Sequence, residues 1–169
     1  RIEAIDSALT RMEALIDDLL QLARTDEQVT GTEPVDLAEL AQRCWQNVET
    51  TDATVQFDIG GTVRADRGRL AQVFENLLGN AVEHTDRAVT ITVGEFEHGF
   101  YVADDGEGIP DDEQDDVFEA GYTTTEQGTG FGLSIVSDVI EAHGWEVHVT
   151  ESTEGGTRVE ITGVDVDTE

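Results

Sequence analysis

Three alternating glycines lead directly into an apolar helical pattern in the last third of the chain. The segment runs Gly128-Thr129-Gly130-Phe131-Gly132-Leu133, and apolar residues then recur at helical spacing until Gly144, a typical helix stop. Glycine lets backbone amides approach a ligand closely, and the first turn of a helix offers unpaired N–H groups to an anion. The pattern therefore predicts a phosphate-binding loop at the start of a helix, with a flexible turn as the alternative.

The chain contains no lysine, and this narrows the kind of phosphate site that the loop can form. All nine basic residues are arginine. A Walker-type loop needs a lysine after its last glycine, where this chain has Leu133, and protein kinases of the eukaryotic type need a lysine on a strand. Backbone amides, a metal ion and arginine must therefore balance the phosphate charge.

The chain is strongly acidic. Its 38 acidic residues against nine arginines give a net charge of −29 over 169 residues, which argues against binding to nucleic acid or to an anionic membrane surface. The apolar residues fall in periodic segments, so we expect a folded chain that makes no contact with a membrane. We also expect a halophilic source and loss of stability in dilute buffer, because molar salt shortens the Debye length to about 3 Å and screens self-repulsion.

The amino-terminal segment predicts one long helix. Residues 1–24 carry a heptad seam, which favours packing in a helix bundle or a dimer, with an ordinary core helix as the alternative. Polar residues ending in Pro34 follow and predict a linker. We divide the chain into the helical segment at 1–28, the linker at 29–34, one domain at 35–163 and a frayed tail at 164–169.

Periodicity predicts the elements of the domain. Helices are expected at 37–50 and 66–84, the first with a capping box formed by Asp36 and Glu39. A turn at Gly60-Gly61 is expected to join two strands, and Cys44 is expected to be a buried structural thiol. Strands are predicted at 54–59, 62–65, 89–96, 100–103, 145–150 and 158–162.

Two asparagines lie at the border of the apolar stripe of the helix at 66–84. Asn76 and Asn80 are one turn apart, although asparagine is a poor residue inside a helix. The pair therefore suggests a site, and an amide oxygen is a suitable ligand for Mg²⁺. Two solvated asparagines are the alternative.

The strand at 100–103 runs into an acidic, glycine-rich segment. Asp104 stands at the strand end and is followed by Gly106 and Gly108. A carboxylate there can accept a hydrogen bond from an exocyclic amine such as N6 of adenine, while the glycines leave room for a planar base. The spacing excludes a calcium loop of the EF-hand type, and a simple acidic turn is the alternative.

Taken in order, these motifs resemble the N, G1, F and G2 boxes of sensor histidine kinases. The helix at 1–24 resembles the second helix of the dimerisation and histidine-phosphotransfer hairpin of that family. Gly156-Thr157 is similar to a further glycine-threonine element of the same ATPase superfamily. The residues that carry the four boxes are Asn76 and Asn80, then Asp104, Gly106 and Gly108, then Phe118, and finally Gly128, Gly130 and Gly132.

The resemblance implies an α/β fold: a two-layer Bergerat-type sandwich, with helices on one face of a mixed sheet and ATP between a helix and a lid. It implies that Asn80 holds Mg²⁺, that Asp104 receives the adenine amine with support from Thr157, and that Phe118 anchors the lid. The nucleotide-binding residues expected on this basis are Asn76, Asn80, His84, Asp104, Gly106, Gly108, Ile109, Phe118, Gly128, Thr129, Gly130, Phe131, Gly132, Leu133 and Thr157.

One position separates the sub-families. ATPases of the gyrase type, the ninety-class heat-shock chaperones and the mismatch-repair ATPases usually carry a glutamate where Asn76 stands. An amide cannot act as a general base, so we expect transfer to a histidine rather than to water. Glu75 points about 100° away around the helix. Glu83 stands where many family members have a basic residue, which leaves Mg²⁺ and loop amides with more of the phosphate charge.

No residue is assigned a catalytic role, because none of the four histidines has the context of the family's phosphoacceptor. The chain is therefore expected to begin after the acceptor helix and not to autophosphorylate alone. We expect the cytoplasmic catalytic domain of a two-component histidine kinase, which binds ATP and Mg²⁺, dimerises through its amino-terminal helix and serves the receiver domain of a response regulator. The alternatives are a degenerate nucleotide-sensing module without transfer activity, a gyrase-type hydrolase and a serine kinase acting on a regulatory protein.

Overall fold

A computed structural model describes residues 2–25, 31–48, 53–83, 88–106, 132–151 and 155–167. Within these ranges lie four helices and seven strands, numbered in chain order. The helices are α1 (Ile2–Thr25), α2 (Leu37–Gln46), α3 (Arg67–Glu83) and α4 (Gly132–Ala142). The strands are β1 (Glu33–Asp36), β2 (Thr54–Asp58), β3 (Thr62–Ala65), β4 (Thr90–Phe96), β5 (Gly99–Asp104), β6 (Glu146–Glu151) and β7 (Thr157–Thr162).

Five strands form one mixed sheet in the order β2-β4-β5-β7-β6. β2 runs parallel to β4, whereas the other neighbouring pairs are antiparallel. β1 and β3 form a separate two-stranded antiparallel sheet. The mixed sheet agrees with the predicted fold class.

The core lies between one face of this sheet and the helices. Alternate residues of β4, β5 and β7 point to the same side and are fully buried, among them Ile91, Phe100 and Ile161. The ring of Phe74 on α3 packs against that of Phe100, with 5.5 Å between centroids. On the opposite face, the Arg158 guanidinium lies 3.8 Å from the centroid of the half-exposed Tyr101 ring.

The start of α2 is capped by Asp36 as expected, and Asp66 caps α3 in the same way. The Asp36 carboxylate accepts the backbone N–H of Glu39 at 3.1 Å, and the Asp66 carboxylate accepts that of Arg69 at 3.2 Å. The Glu39 carboxylate, which a full capping box would direct to the cap backbone, pairs with two arginines, Arg43 and Arg67, each at 3.4 Å. The cap is therefore confirmed, and Glu39 serves to tie α2 to the start of α3.

The expected turn between β2 and β3 does not pair them. Gly60-Gly61 does join two strands, but β2 pairs with β4 and β3 pairs with β1. The Gly61 N–H donates to the Glu95 carboxylate at 3.0 Å, and a Cβ atom at Gly61 would overlap the Val166 side chain. This glycine is thus needed for close packing rather than for a tight hairpin.

Both ends of the predicted domain are extended by short pairings. β1 includes Glu33 and Pro34, which fall within the predicted linker, although only Val35 of this strand is buried. Beyond Gly163, where the sequence predicts a frayed tail, Val164 is 1% exposed and Asp167 exchanges two backbone hydrogen bonds with Thr62, both 2.8 Å. The expectation of a frayed tail is wrong for residues 164–167, because the segment closes over β3.

α1 agrees with the predicted amino-terminal helix, and its apolar side chains are exposed along much of its length. It packs against α4 of the domain. The large apolar residues that stay 47–60% exposed are Ile5, Leu9, Met12, Ile16, Leu19 and Leu20.

Cys44 on α2 is buried, as expected for a structural thiol. Its Sγ lies 3.5 Å from the carbonyl oxygen of Ala71, and burial, with a smaller effect of the Glu75 charge, raises its pKa to about 11. The thiol therefore stays protonated and packs α2 against α3.

Candidate functional site

Asp104 ends β5 on the face that the helices cover, and the surrounding backbone fixes its carboxylate. Its Oδ1 accepts the N–H of Gly106 at 2.9 Å and the N–H of Thr157 at 3.2 Å. Hydrogen bonds from backbone amides to an ionised carboxylate are short and directional, so they hold the side chain in one orientation. The predicted residues Asp104, Gly106 and Thr157 are thus brought together, although Thr157 lies 53 positions further along the chain.

Gly156 forms the wall behind this carboxylate. A Cβ atom at this position would overlap the carbonyl oxygen, the carbonyl carbon and the carboxylate Oδ1 of Asp104. Only glycine lets β7 begin this close to the end of β5. The neighbouring Asp105 is also anchored, since its Oδ1 accepts the N–H of Thr90 at 2.8 Å.

Asn76 and Asn80 lie on α3, and both side chains are half-buried. The Asn76 amide nitrogen donates to the carbonyl of Gln72 at 2.8 Å, one turn earlier. This bond satisfies the polar group that makes asparagine unfavourable inside a helix. Glu75, by contrast, is exposed, and its charge acts on Cys44 of α2.

α3 and α4 run antiparallel, which brings the asparagines to the start of α4. The Asp66 N–H, just before α3, donates to the His143 ring just after α4, at 3.1 Å, and the two helices pack against each other. At 1.5 Å per residue, Asn76 lies about 15 Å along α3 from this contact, and Leu133 lies about 15 Å back along α4. Asn80 is about one helical turn further along α3, beyond the level of Leu133.

Gly132 is the first helical residue of α4, so the glycine segment does lead into a helix. Leu133 is half-buried and packs on the core, and Ser134 is 6% exposed. The start of α4 is thereby held against the domain, at about the level of Asn76 along α3.

Several predicted site residues lie outside the residues that the structure describes. They share the proposed roles of lid, phosphate loop and adenine contact: His84, Gly108, Ile109, Phe118, Gly128, Thr129, Gly130 and Phe131. Among the described residues, no cluster of three or more His, Cys, Asp or Glu side chains could hold a metal ion.

The sequence is similar to known ATPases. It matches a family model described as "Histidine kinase-, DNA gyrase B-, and HSP90-like ATPase" over residues 65–166. The chain belongs to this ATPase family. Sporulation kinase A of Bacillus subtilis is 32% identical over 94% of this chain and 28% of its own length. The signal transduction histidine-protein kinase/phosphatase MprB of Mycolicibacterium smegmatis is 31% identical, over 88% of the chain and 32% of its own length.

Solved histidine kinases share the fold of this ATPase domain. A mycobacterial sensor histidine kinase MprB superposes with a TM-score of 0.69 at 27% identity, covering 79% of this chain and 97% of that one. Full-length ShkA in complex with AMPPNP superposes with a TM-score of 0.74 at 28% identity, covering 92% of this chain and 36% of that one. The fold class and the expected ATP-binding catalytic domain of sensor histidine kinases are both confirmed. The chain spans less than a third of the length of these two curated relatives, at 28% and 32%.

Sequence reasoning missed two groups that shape the site. Asp105 follows Asp104 and gave no separate signal, because its role depends on the register of β4. The sequence indicated only that His143 lies beside a helix stop, because its hydrogen-bond partner, Asp66, is 77 residues away.

Among the described residues, no helix is both long enough and apolar enough to cross a bilayer.

Proposed function

We propose that this domain donates the γ-phosphoryl group of ATP to a histidine on the dimerisation hairpin of a two-component sensor kinase, for relay to an aspartate of a response regulator. The observation that carries the proposal is the Asp104 carboxylate, fixed by the N–H groups of Gly106 and Thr157 at the open end of β5. The named relatives among histidine kinases support the same reaction.

Asp104 gives the site a preference for adenine. A fixed carboxylate accepts a hydrogen bond from the exocyclic amine of adenine. Guanine has the carbonyl O6 at the same position, so the carboxylate and O6 would both be acceptors. Burying two acceptors against each other leaves both unpaired and is costly. We therefore expect the domain to select ATP over GTP.

Asn80 fits the role of a magnesium ligand, although its own amide supplies only one oxygen. Mg²⁺ is bound by few protein ligands, keeps several waters and takes the rest of its coordination from phosphates. Asn80 would hold the ion, and the chemistry that the ion would supply is neutralisation of the phosphate charge. The chain's own contribution would be to hold Asn80 about one helical turn from the start of α4, whose first backbone N–H groups would be available to the same phosphates.

Asn76 favours phosphoryl transfer over hydrolysis. Its amide nitrogen is bonded to the Gln72 carbonyl, and an amide has no basic group to activate water. Glu75 is exposed and lies on the side of α3 toward α2, where its charge affects Cys44. The described residues of α3 thus provide no general base for a gyrase-type hydrolase at either position.

The exposed apolar face of α1 supports dimerisation with a second copy of the chain. In this proposal the dimerised hairpin carries the accepting histidine, which is none of the four histidines of this sequence, and presents the phosphohistidine to the receiver domain of the response regulator. We place the domain in the cytoplasm, where ATP is available.

Calorimetric titration with the non-hydrolysable analogue AMPPNP, in the presence of Mg²⁺ and molar KCl, tests the proposal. We expect binding that Asp104→Ala weakens at least about tenfold, since the substitution removes a charge-assisted hydrogen bond. Asp58→Asn, at an exposed position on β2, is the matched control and should bind like the parent chain. Absence of nucleotide binding to the parent chain would refute the proposal, and steady phosphate release from ATP would favour the hydrolase.

A further inference from the structure

His143 joins the end of α4 to the start of α3. Its Nε2 accepts the backbone N–H of Asp66 at 3.1 Å, and its Nδ1 lies 2.8 Å from the carbonyl oxygen of Val139. Because Nε2 accepts a hydrogen bond, the ring is neutral and carries its proton on Nδ1, which donates to Val139. The ring of Trp145 stacks on the imidazole, with 4.6 Å between centroids and 25° between planes.

The α4 side of this contact is rigid. The Val139 carbonyl also accepts the backbone N–H of His143 at 3.2 Å. The backbone N–H of Trp145 donates to the Ile140 carbonyl at 3.0 Å. Gly144 has a φ of +80°, the left-handed conformation that ends a helix. These hydrogen bonds hold the imidazole against the last turn of α4.

The α3 side is equally well fixed. The Asp66 carbonyl accepts the N–H of Leu70 at 2.9 Å, its Oδ1 accepts the N–H of Arg69 at 3.2 Å, and its Oδ2 lies 3.6 Å from the Arg69 Nε. Asp66 is thus the cap of α3, and its remaining backbone group, the N–H, is the one bonded to His143. The hydrogen bond connects two fixed helix ends.

Both helices lead from this contact to the phosphate end of the cleft. α3 carries Asn76 and Asn80, and α4 starts at Gly132. Asp104 and Thr157, by contrast, belong to strands of the sheet. A change in the axial position of α3 against α4 would therefore move the metal and phosphate groups while leaving the adenine contacts in place.

We infer that His143 is a positioning residue for nucleotide binding, which sets the axial register of α3 against α4 and so fixes the position of Asn80, about one helical turn beyond the start of α4. The residue does not touch the nucleotide. This inference rests on the proposed function, since it assigns the phosphates and Mg²⁺ to that end of the cleft.

Three substitutions separate the two hydrogen bonds of the ring. In His143→Gln the amide oxygen can occupy the place of Nε2 and accept the Asp66 N–H. In His143→Asn the shorter amide can replace Nδ1 and donate to Val139, but it cannot reach Asp66. His143→Leu keeps side-chain volume and makes neither bond.

Calorimetry measures AMPPNP affinity with and without Mg²⁺ at the same high salt concentration. The ratio of the two affinities is the magnesium factor, by which the metal strengthens binding. We expect this factor to fall about fivefold or more in the Asn and Leu variants and to stay within about twofold of the parent value in the Gln variant. Thermal unfolding of each variant identifies the folded fraction. His148→Asn, at an exposed position on β6, is the control for the change of residue type.

The outcomes are distinguishable. Folded Asn and Leu variants with the parent magnesium factor would overturn the inference, because His143 would then contribute to stability alone. A parent chain that binds no nucleotide would instead refute the proposed function. If the variants do not fold, the ¹⁵N chemical shifts of the parent imidazole test the hydrogen bond to Asp66 instead. A ring protonated at Nε2 could not accept the Asp66 N–H, and this result would overturn the inference.

Discussion

At the scale of single residues, the adenine end of the cleft depends on one carboxylate and the backbone packed around it. Asp104 is held by two N–H groups, and Gly156 approaches it so closely that no side chain fits between them. The position of the carboxylate is therefore set by β7 as much as by β5.

Replacing Gly156 by alanine tests this dependence. The added methyl group would displace Asp104, so we expect AMPPNP affinity to fall at least about tenfold and stability to fall by about 1–3 kcal/mol. Calorimetry and urea denaturation measure the two effects. Gly60→Ala is the matched control, because a Cβ atom there meets no atom within 4 Å, and it should leave both values unchanged. Parent-like affinity in a folded Gly156→Ala variant would show that the close approach is not needed.

The sequence could identify single residues of the site but not their convergence. Asp104 is recognisable because a carboxylate followed by glycines stands where an alternating strand ends. Its contact with Thr157 crosses 53 positions and depends on the pairing of β5 with β7, which local periodicity does not determine. The resemblance to a family, rather than spacing, supplies that link.

At the scale of elements, the helices are predicted more accurately than the pairing of strands. The helix predicted at 66–84 is α3, found at Arg67–Glu83, because a wide apolar stripe and a capping aspartate define it locally. β2 and β3 are recognisable as strands, but β2 pairs with β4 across the whole of α3. β1 is not predicted, because four residues containing Pro34 carry too little alternation.

The exposed apolar face of α1 predicts self-association. Its side chains are too large and too contiguous for a solvated helix surface, so a second copy should cover them. We expect concentration-dependent dimerisation in analytical ultracentrifugation, weakened at least about tenfold by Ile16→Asp because a charge would be buried in the interface. Ala14→Asp, an exposed position off the seam, is the control. Equal association of the two variants would contradict dimerisation through this face.

At the scale of the whole molecule, two electrostatic effects of salt oppose each other. Added salt weakens attractive ion pairs, and the described exposed ones, such as Arg43 with Glu39, are worth about 0–1 kcal/mol each. It also screens the mutual repulsion of 38 acidic residues, which only nine arginines offset. Since the net charge is −29, repulsion outweighs attraction, and screening should stabilise the fold.

The midpoint of thermal unfolding should therefore rise steadily between about 0.1 M and 1 M KCl, as the Debye length falls from about 10 Å to about 3 Å. Sucrose at equal osmolality is the control, because it is excluded from protein surfaces without screening charge. Stabilisation by KCl beyond that by sucrose would assign the effect to repulsion among the carboxylates. A midpoint that is independent of KCl would show that the acidic surface costs the folded state nothing, and the expectation of a halophilic source would lose its physical basis.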